Sequence, residues 1–195
     1  MSLSTLINGI LNPLKPFSLI AGIIALIGTL PISANTLEDF GPVKNAVVNV
    51  DRSNVPAYYL HGTIVAEFKN KKSVALNSAG NGMDLKIFPD RRTIGWIEGE
   101  MSTYRNDPWF YPKTVVIWKD GKILRKITPG MFLTGWGIVA NGKQIATAAA
   151  GMHGPTYMKL YDLNSGKILD TAKNYDKKHK AWVKSIPETN GPLYN

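Results

Sequence analysis

Residues 82–99, GMDLKIFPDRRTIGWIEG, decide the fold, because they hold two strands of a hairpin and the turn between them. Apolar and polar side chains alternate from Gly82 to Phe88, the period that puts successive side chains on opposite faces of a sheet. Pro89-Asp90 then supplies turn chemistry: proline pre-sets φ, and a short aspartate side chain bonds the backbone just ahead of it. The return run, Ile94 to Gly99, carries Gly95, Ile97 and Gly99 on one face. A row of such small residues lets another sheet or backbone approach closely.

The same grammar extends outward in both directions. Thr63–Phe68 and Ser73–Leu76 read as strands around the lysine-rich turn 69–72, and Ala46-Val47-Val48 reads as a short edge strand in an otherwise irregular lead-in, 35–57. Tyr157–Leu163 places Tyr157, Lys159, Tyr161 and Leu163 on one face and Met158, Leu160 and Asp162 on the other, before an Asn164-Ser165-Gly166 turn. In 145–150, Ile145, Thr147 and Ala149 face away from Ala146, Ala148 and Ala150. Trp96, Trp118 and Trp136 fall inside strand patterns and are assigned to the core. The class expected is all-β, built of antiparallel hairpins over 58–175, with a basic tail or short helix in 176–195.

Two segments also resemble one another. Residues 87–96 match 138–147, and Val116–Leu124 matches Leu160–Leu169 through a shared Gly-Lys-Ile-Leu, which gives repeat units 87–124 and 138–169. Phe88-Pro89-Asp90-Arg91-Arg92-Thr93-Ile94 and Asn141-Gly142-Lys143-Gln144-Ile145-Ala146, each followed by a strand and then Asp-Gly-Lys or Asn-Ser-Gly-Lys, resemble blades of the WD40-like and TolB-type β-propellers of secreted and periplasmic proteins. That resemblance covers residues 85–170 and implies propeller-blade-like repeats. At roughly 40–45 residues per blade the chain is short for a closed ring. An incomplete propeller, a small antiparallel sandwich, or a ring completed by a second copy are the forms it implies.

The amino terminus sets the expected location. Lys15 precedes an apolar run from Phe17 to Leu30, and Pro31-Ile32-Ser33-Ala34 follows, the plan of a secretory signal peptide cut after Ala34. The run is shorter than the roughly 20 residues a membrane-spanning helix needs. Left uncut, it would be a membrane anchor. The chain has no cysteine, so a lipoprotein anchor, a disulfide framework, a thiolate metal site and a cysteine nucleophile are all excluded. A periplasmic or secreted, bacterial setting is expected.

With 23 basic and 14 acidic residues the chain carries +9 at pH 7. Its clusters, Lys69, Lys71, Lys72 and Lys177, Lys178, suit solvated surface or attraction to an anionic surface. No helix-turn-helix, finger or aromatic RNA platform accompanies them, and export argues against a nucleic-acid partner.

Candidate site residues lie in two places. The stretch 101–112 reads as a long loop inserted between the repeats, polar and aromatic together: Tyr104, Arg105, Asp107, Trp109 and Tyr111 could bind a peptide or sugar, or cap the sheet edge. His153, between Gly151 and Gly154, could fix its connection through a backbone bond or serve a ligand. No cofactor is implied. His61, His153 and His179 lack metal-site spacing, and no Gly-x-Ser-x-Gly elbow is present. Glu98 and Glu100 share one face of an extended strand and could sit together at its end, as a pair of catalytic carboxylates would need, though exposed strand-end acids are far commoner than catalytic ones. Three function classes follow: an exported, non-catalytic protein that binds a peptide, glycan or envelope protein; a small envelope hydrolase using loop His, Asp and Glu; and a structural subunit completed by self-association as a homodimer.

Overall fold

A computed structural model describes residues 39–50, 61–77, 79–104, 107–151, 154–173 and 180–187, all within the compact unit Asn35–Asn195. The predicted leader, 1–34, lies outside the described residues, as do His153, Lys177 and Lys178; of the basic tail or short helix expected over 176–195, residues 180–187 are described.

Eleven described strands form three antiparallel sheets. The first sheet holds β1 (Val43–Asn49), β2 (Thr63–Phe68) and β3 (Lys71–Ala75) in the order β1-β2-β3. The middle sheet is a meander of β4 (Gly82–Ile87), β5 (Thr93–Tyr104), β6 (Asp107–Lys119) and β7 (Lys122–Ile127). The last sheet is a second meander, β8 (Phe132–Val139), β9 (Gln144–Ala150), β10 (Thr156–Asp162) and β11 (Ile168–Lys173). A short 3-10 helix, Ala181–Ser185, follows.

Period-two alternation explains how the sheets meet. From the middle sheet, Ile94 and Trp96 of β5 and Val116 and Trp118 of β6 pack with Val43, Ile64 and Phe68 of the first and with Phe40 just before it. The intervening residues Ile97, Val115 and Ile117 point the other way and pack with Leu133, Trp136, Ile145 and Tyr161 of the last. Both faces of the middle sheet are therefore covered, and β5 is buried continuously from Thr93 to Ile97 instead of at every second residue. On the outer face of the last sheet Ala148, Met158 and Ala172 pack with Val183 of the 3-10 helix. Burial of each large apolar side chain in these clusters contributes about 1.5–3 kcal/mol.

Close approach between middle and last sheets depends on Gly95. A Cβ there would lie 2.5 Å from Cη2 of the Trp136 indole and 2.8 Å from Cδ1 of Ile117. The indole, fully buried, donates through Nε1 to the carbonyl of Asp84 at 3.0 Å. Asp84 sits at a bulge between Met83 and Lys86 with φ of 46°, a conformation that aspartate tolerates better than most residues. Lys86 completes the cluster, its Nζ 2.5 Å from Asp84 and 4.7 Å from the indole centroid.

Aspartates shape the turns as their positions predict. The Asp90 carboxylate accepts the backbone N–H groups of Arg92 and Thr93, the Thr93 hydroxyl and the Lys119 ammonium. Burial pushes this carboxyl up, but those hydrogen bonds together outweigh burial and hold it below the usual carboxylate value. Asp162 holds its turn through the N–H and hydroxyl of Ser165, both at 2.7 Å. Arg91 takes a left-handed φ of 54°, and its guanidinium donates to the carbonyls of Val43 and Lys44, tying the β4–β5 turn to the first sheet.

The propeller resemblance is overturned: the three sheets are open, and none closes into a barrel or ring. The repeat reading falls with it. Units 87–124 and 138–169 belong to two separate open meanders, and what they share is the local chemistry of tight turns, an Asp or Asn at each, which any antiparallel hairpin can use. The all-β, antiparallel character stands.

Candidate functional site

The stretch 101–112 is not a loop. β5 and β6 pair continuously from Thr93↔Lys119 to Tyr104↔Asp107. Their lateral neighbours stop sooner: β4 ends its pairing at Gly82↔Glu98, and β7 at Val115↔Ile127. Beyond that point residues 99–104 and 107–112 form a two-stranded ribbon with no strand beside it among the described residues. A bulge at the base, between Glu98 and Gly99, leaves Lys113 as the extra residue of β6 and re-aims the ribbon relative to the sheet.

An isolated two-stranded ribbon is marginal in water, so its root has to be held. Two aromatic contacts do this. The Phe110 ring stacks on His61, with centroids 4.5 Å apart and planes 11° from parallel. The Tyr111 ring meets Phe132 of β8 at 3.9 Å. His61 is fixed in turn by a bond between Nδ1 and the Gly80 carbonyl at 3.1 Å. Gly99 must lack a side chain because a Cβ would run into the Phe110 ring. Its N–H donates to the Asn81 carbonyl at 3.2 Å, and its carbonyl accepts from the Asn81 side-chain amide at 2.9 Å. Asn77 links this point to the first sheet, accepting from Ile64 N–H at 2.5 Å and donating to Asn81 Oδ1 at 3.3 Å.

The structure brings some predicted site residues together and leaves others aside. Trp109 and Tyr111, two apart on β6, share a face of the ribbon with their register partners Ser102 and Glu100, and both are half-buried. Tyr104 and Asp107 are register partners at the far end, but their side chains, with Arg105 and His153, lie outside the described residues. So do the side chains of Lys71 and Lys72, while Lys69 is exposed in the β2–β3 turn.

Glu98 and Glu100 are each engaged at the ribbon's base. Glu98 accepts from the Trp96 indole at 3.2 Å and pairs with Lys126 at 3.3 Å; Glu100 pairs with Lys113 at 2.8 Å. No group of three or more His, Asp or Glu among the described residues could hold a metal ion. Another concavity, about 290 Å³, opens between turns of the middle and last sheets over Phe88, Leu124 and Leu163, but its Asp90 and Lys119 are already bonded to each other. Its volume sits at the small end of ligand pockets.

Sequence reasoning overlooked Asn81, His61 and Phe132, the anchors of the ribbon, because each is distant in the chain. It also overlooked Pro108 and Pro112, whose spacing of four is legible as two residues with backbone nitrogens aimed at the same strand edge. No family model matches the chain, and no curated protein matches it.

Proposed function

We propose that this chain is a non-catalytic interaction protein, exported to the cell envelope, that contacts a partner polypeptide through the ribbon formed by residues 99–112. The observation that carries this reading is the six register pairs of β5 and β6 that continue past the sheet. A hairpin needs no such extension to close its turn. At its outer part Met101 is 55% exposed and Ser102 and Thr103 are exposed, while Trp109 and Tyr111 stay half-buried beside them. Apolar and aromatic groups combined with polar neighbours suit a protein contact. The leader-like segment before Ala34 supports an envelope location.

The test compares the full chain with a shortened ribbon in which Ser102 joins Trp109 through Asn-Gly, a two-residue turn that closes on an inward-bonding pair and keeps the register and the His61 stack. Both are probed on arrays of extended peptides and of glycans, and both are located by fractionation. Peptide retention by the full chain and its loss in the shortened form is the expected result. Equal retention by both, retention of glycans alone, or recovery of the protein in the cytoplasm would overturn the proposal.

A further inference from the structure

We infer that the outer edge of β5, at Met101 and Thr103, is a pairing site on which an extended, acidic polypeptide segment adds as a further strand. This rests on the reading of the ribbon as the contact element and specifies how contact is made.

In a strand, alternate residues aim both N–H and C=O at the same edge. Gly99 directs both groups outward to Asn81, away from β6. Met101 and Thr103 follow the same parity and also face outward. Their opposite numbers across the ribbon are Phe110 and Pro108, and Pro112 lies opposite Gly99. Residues facing each other in an antiparallel pair share this property, so Pro108, Phe110 and Pro112 aim their nitrogens at the outer edge of β6. Two of those three are prolines and have no proton to donate. The β6 edge is therefore guarded in the manner proteins use to prevent strand addition.

No such guard protects β5. Met101 and Thr103 keep their N–H groups, the residues 101–103 are uncharged, and past Asn81 no described residue bonds to this edge. Asn81 itself shows the geometry, since it exchanges a donor and an acceptor with Gly99 as a neighbouring strand residue would. Strand addition draws its affinity from such main-chain bonds.

The occupant is a flexible segment of another protein and not a second copy of this chain. Pairing two copies through residues 101–103 would bury far less than the roughly 800 Å² per partner of a stable interface. A chain charged +9 attracts an acidic segment and repels its own copy.

The probe is the peptide acetyl-Asp-Thr-Val-Thr-Val-Thr-Asp-amide, followed by amide NMR and fluorescence anisotropy with the full chain. Two further forms carry N-methyl groups on alternate residues, one set on each edge of the peptide. The expected result is a shift of the Met101 and Thr103 amides, with one methylated form weakened about tenfold or more and the other unchanged. Thr103→Pro removes an outward donor that the ribbon does not use, so it should weaken binding about tenfold while Tm holds, and Thr103→Ala should bind like the parent. Equal binding by both methylated forms, no binding by the peptide, or a dimer that Thr103→Pro dissolves would overturn the inference. Binding that survives Thr103→Pro but is lost in Trp109→Ala would remove the edge site and leave the ribbon as the contact element. Undiminished binding by the shortened ribbon would remove both.

Discussion

At position 95 the middle sheet has room for a hydrogen and nothing larger. Replacing Gly95 with alanine would force the Trp136 indole and Ile117 apart, and overpacking of this kind costs about 1–3 kcal/mol, to be read from urea denaturation. Asp170 offers a different handle. Its carboxyl is held at about 2, down from 3.8, by bonds from the Lys180 ammonium, then the Trp182 indole and the Thr171 N–H. A depressed carboxyl stabilises fully above its unfolded value and loses that contribution as pH falls through the folded one. The Tm gap between the parent and Asp170→Asn should therefore be constant from neutral pH down to about 5 and close between about 4 and 2. A gap that persists at pH 2 would show that the carboxylate's charge does not hold the 3-10 helix against β11.

At the scale of elements, much was legible. Strands 63–68, 82–87 and 156–162 follow from period-two alternation, and the buried tryptophans 96, 118 and 136 lie where their strand patterns put them. The ribbon was misread as a loop for a physical reason. Neither face of residues 99–103 is fully buried, so hydrophobic alternation fades, while Asn106, Asp107 and Pro108 supply turn-like composition inside what is largely strand. Order of sheet packing was not legible either, since turn chemistry is local and identical in open and closed arrangements. Of the site, Trp109 and Tyr111 were found from composition, but the anchors were not, because a stack such as His61 on Phe110 joins positions 49 residues apart. Shortening the ribbon as described should leave the three sheets and their Tm nearly intact, as Thr103, the described side chain among those removed, is exposed and belongs to none of the main clusters. A large loss of Tm would mean that the ribbon is a structural brace.

For the whole molecule, the middle sheet's two covered faces join the clusters into one system. Amides of Ile94–Ile97 and Val115–Trp118 should exchange slowest in native-state hydrogen exchange, at a rate set by global unfolding. Those of residues 101–103 should exchange on the order of a thousandfold faster. Comparable protection in both would place the ribbon within the cooperative core. Tryptophan fluorescence and far-UV circular dichroism should report a single coincident transition, because neither flanking sheet retains its core once the middle one is lost. The same arrangement constrains how such a chain can be inherited. Descendants can trim or rebuild the 3-10 helix and the outer ribbon piecemeal, for the helix packs on the last sheet and the ribbon is held at its root. The middle meander is not modular: its deletion would bare two apolar faces at once, so recombination that preserves a working protein must keep residues 82–127 in a single piece.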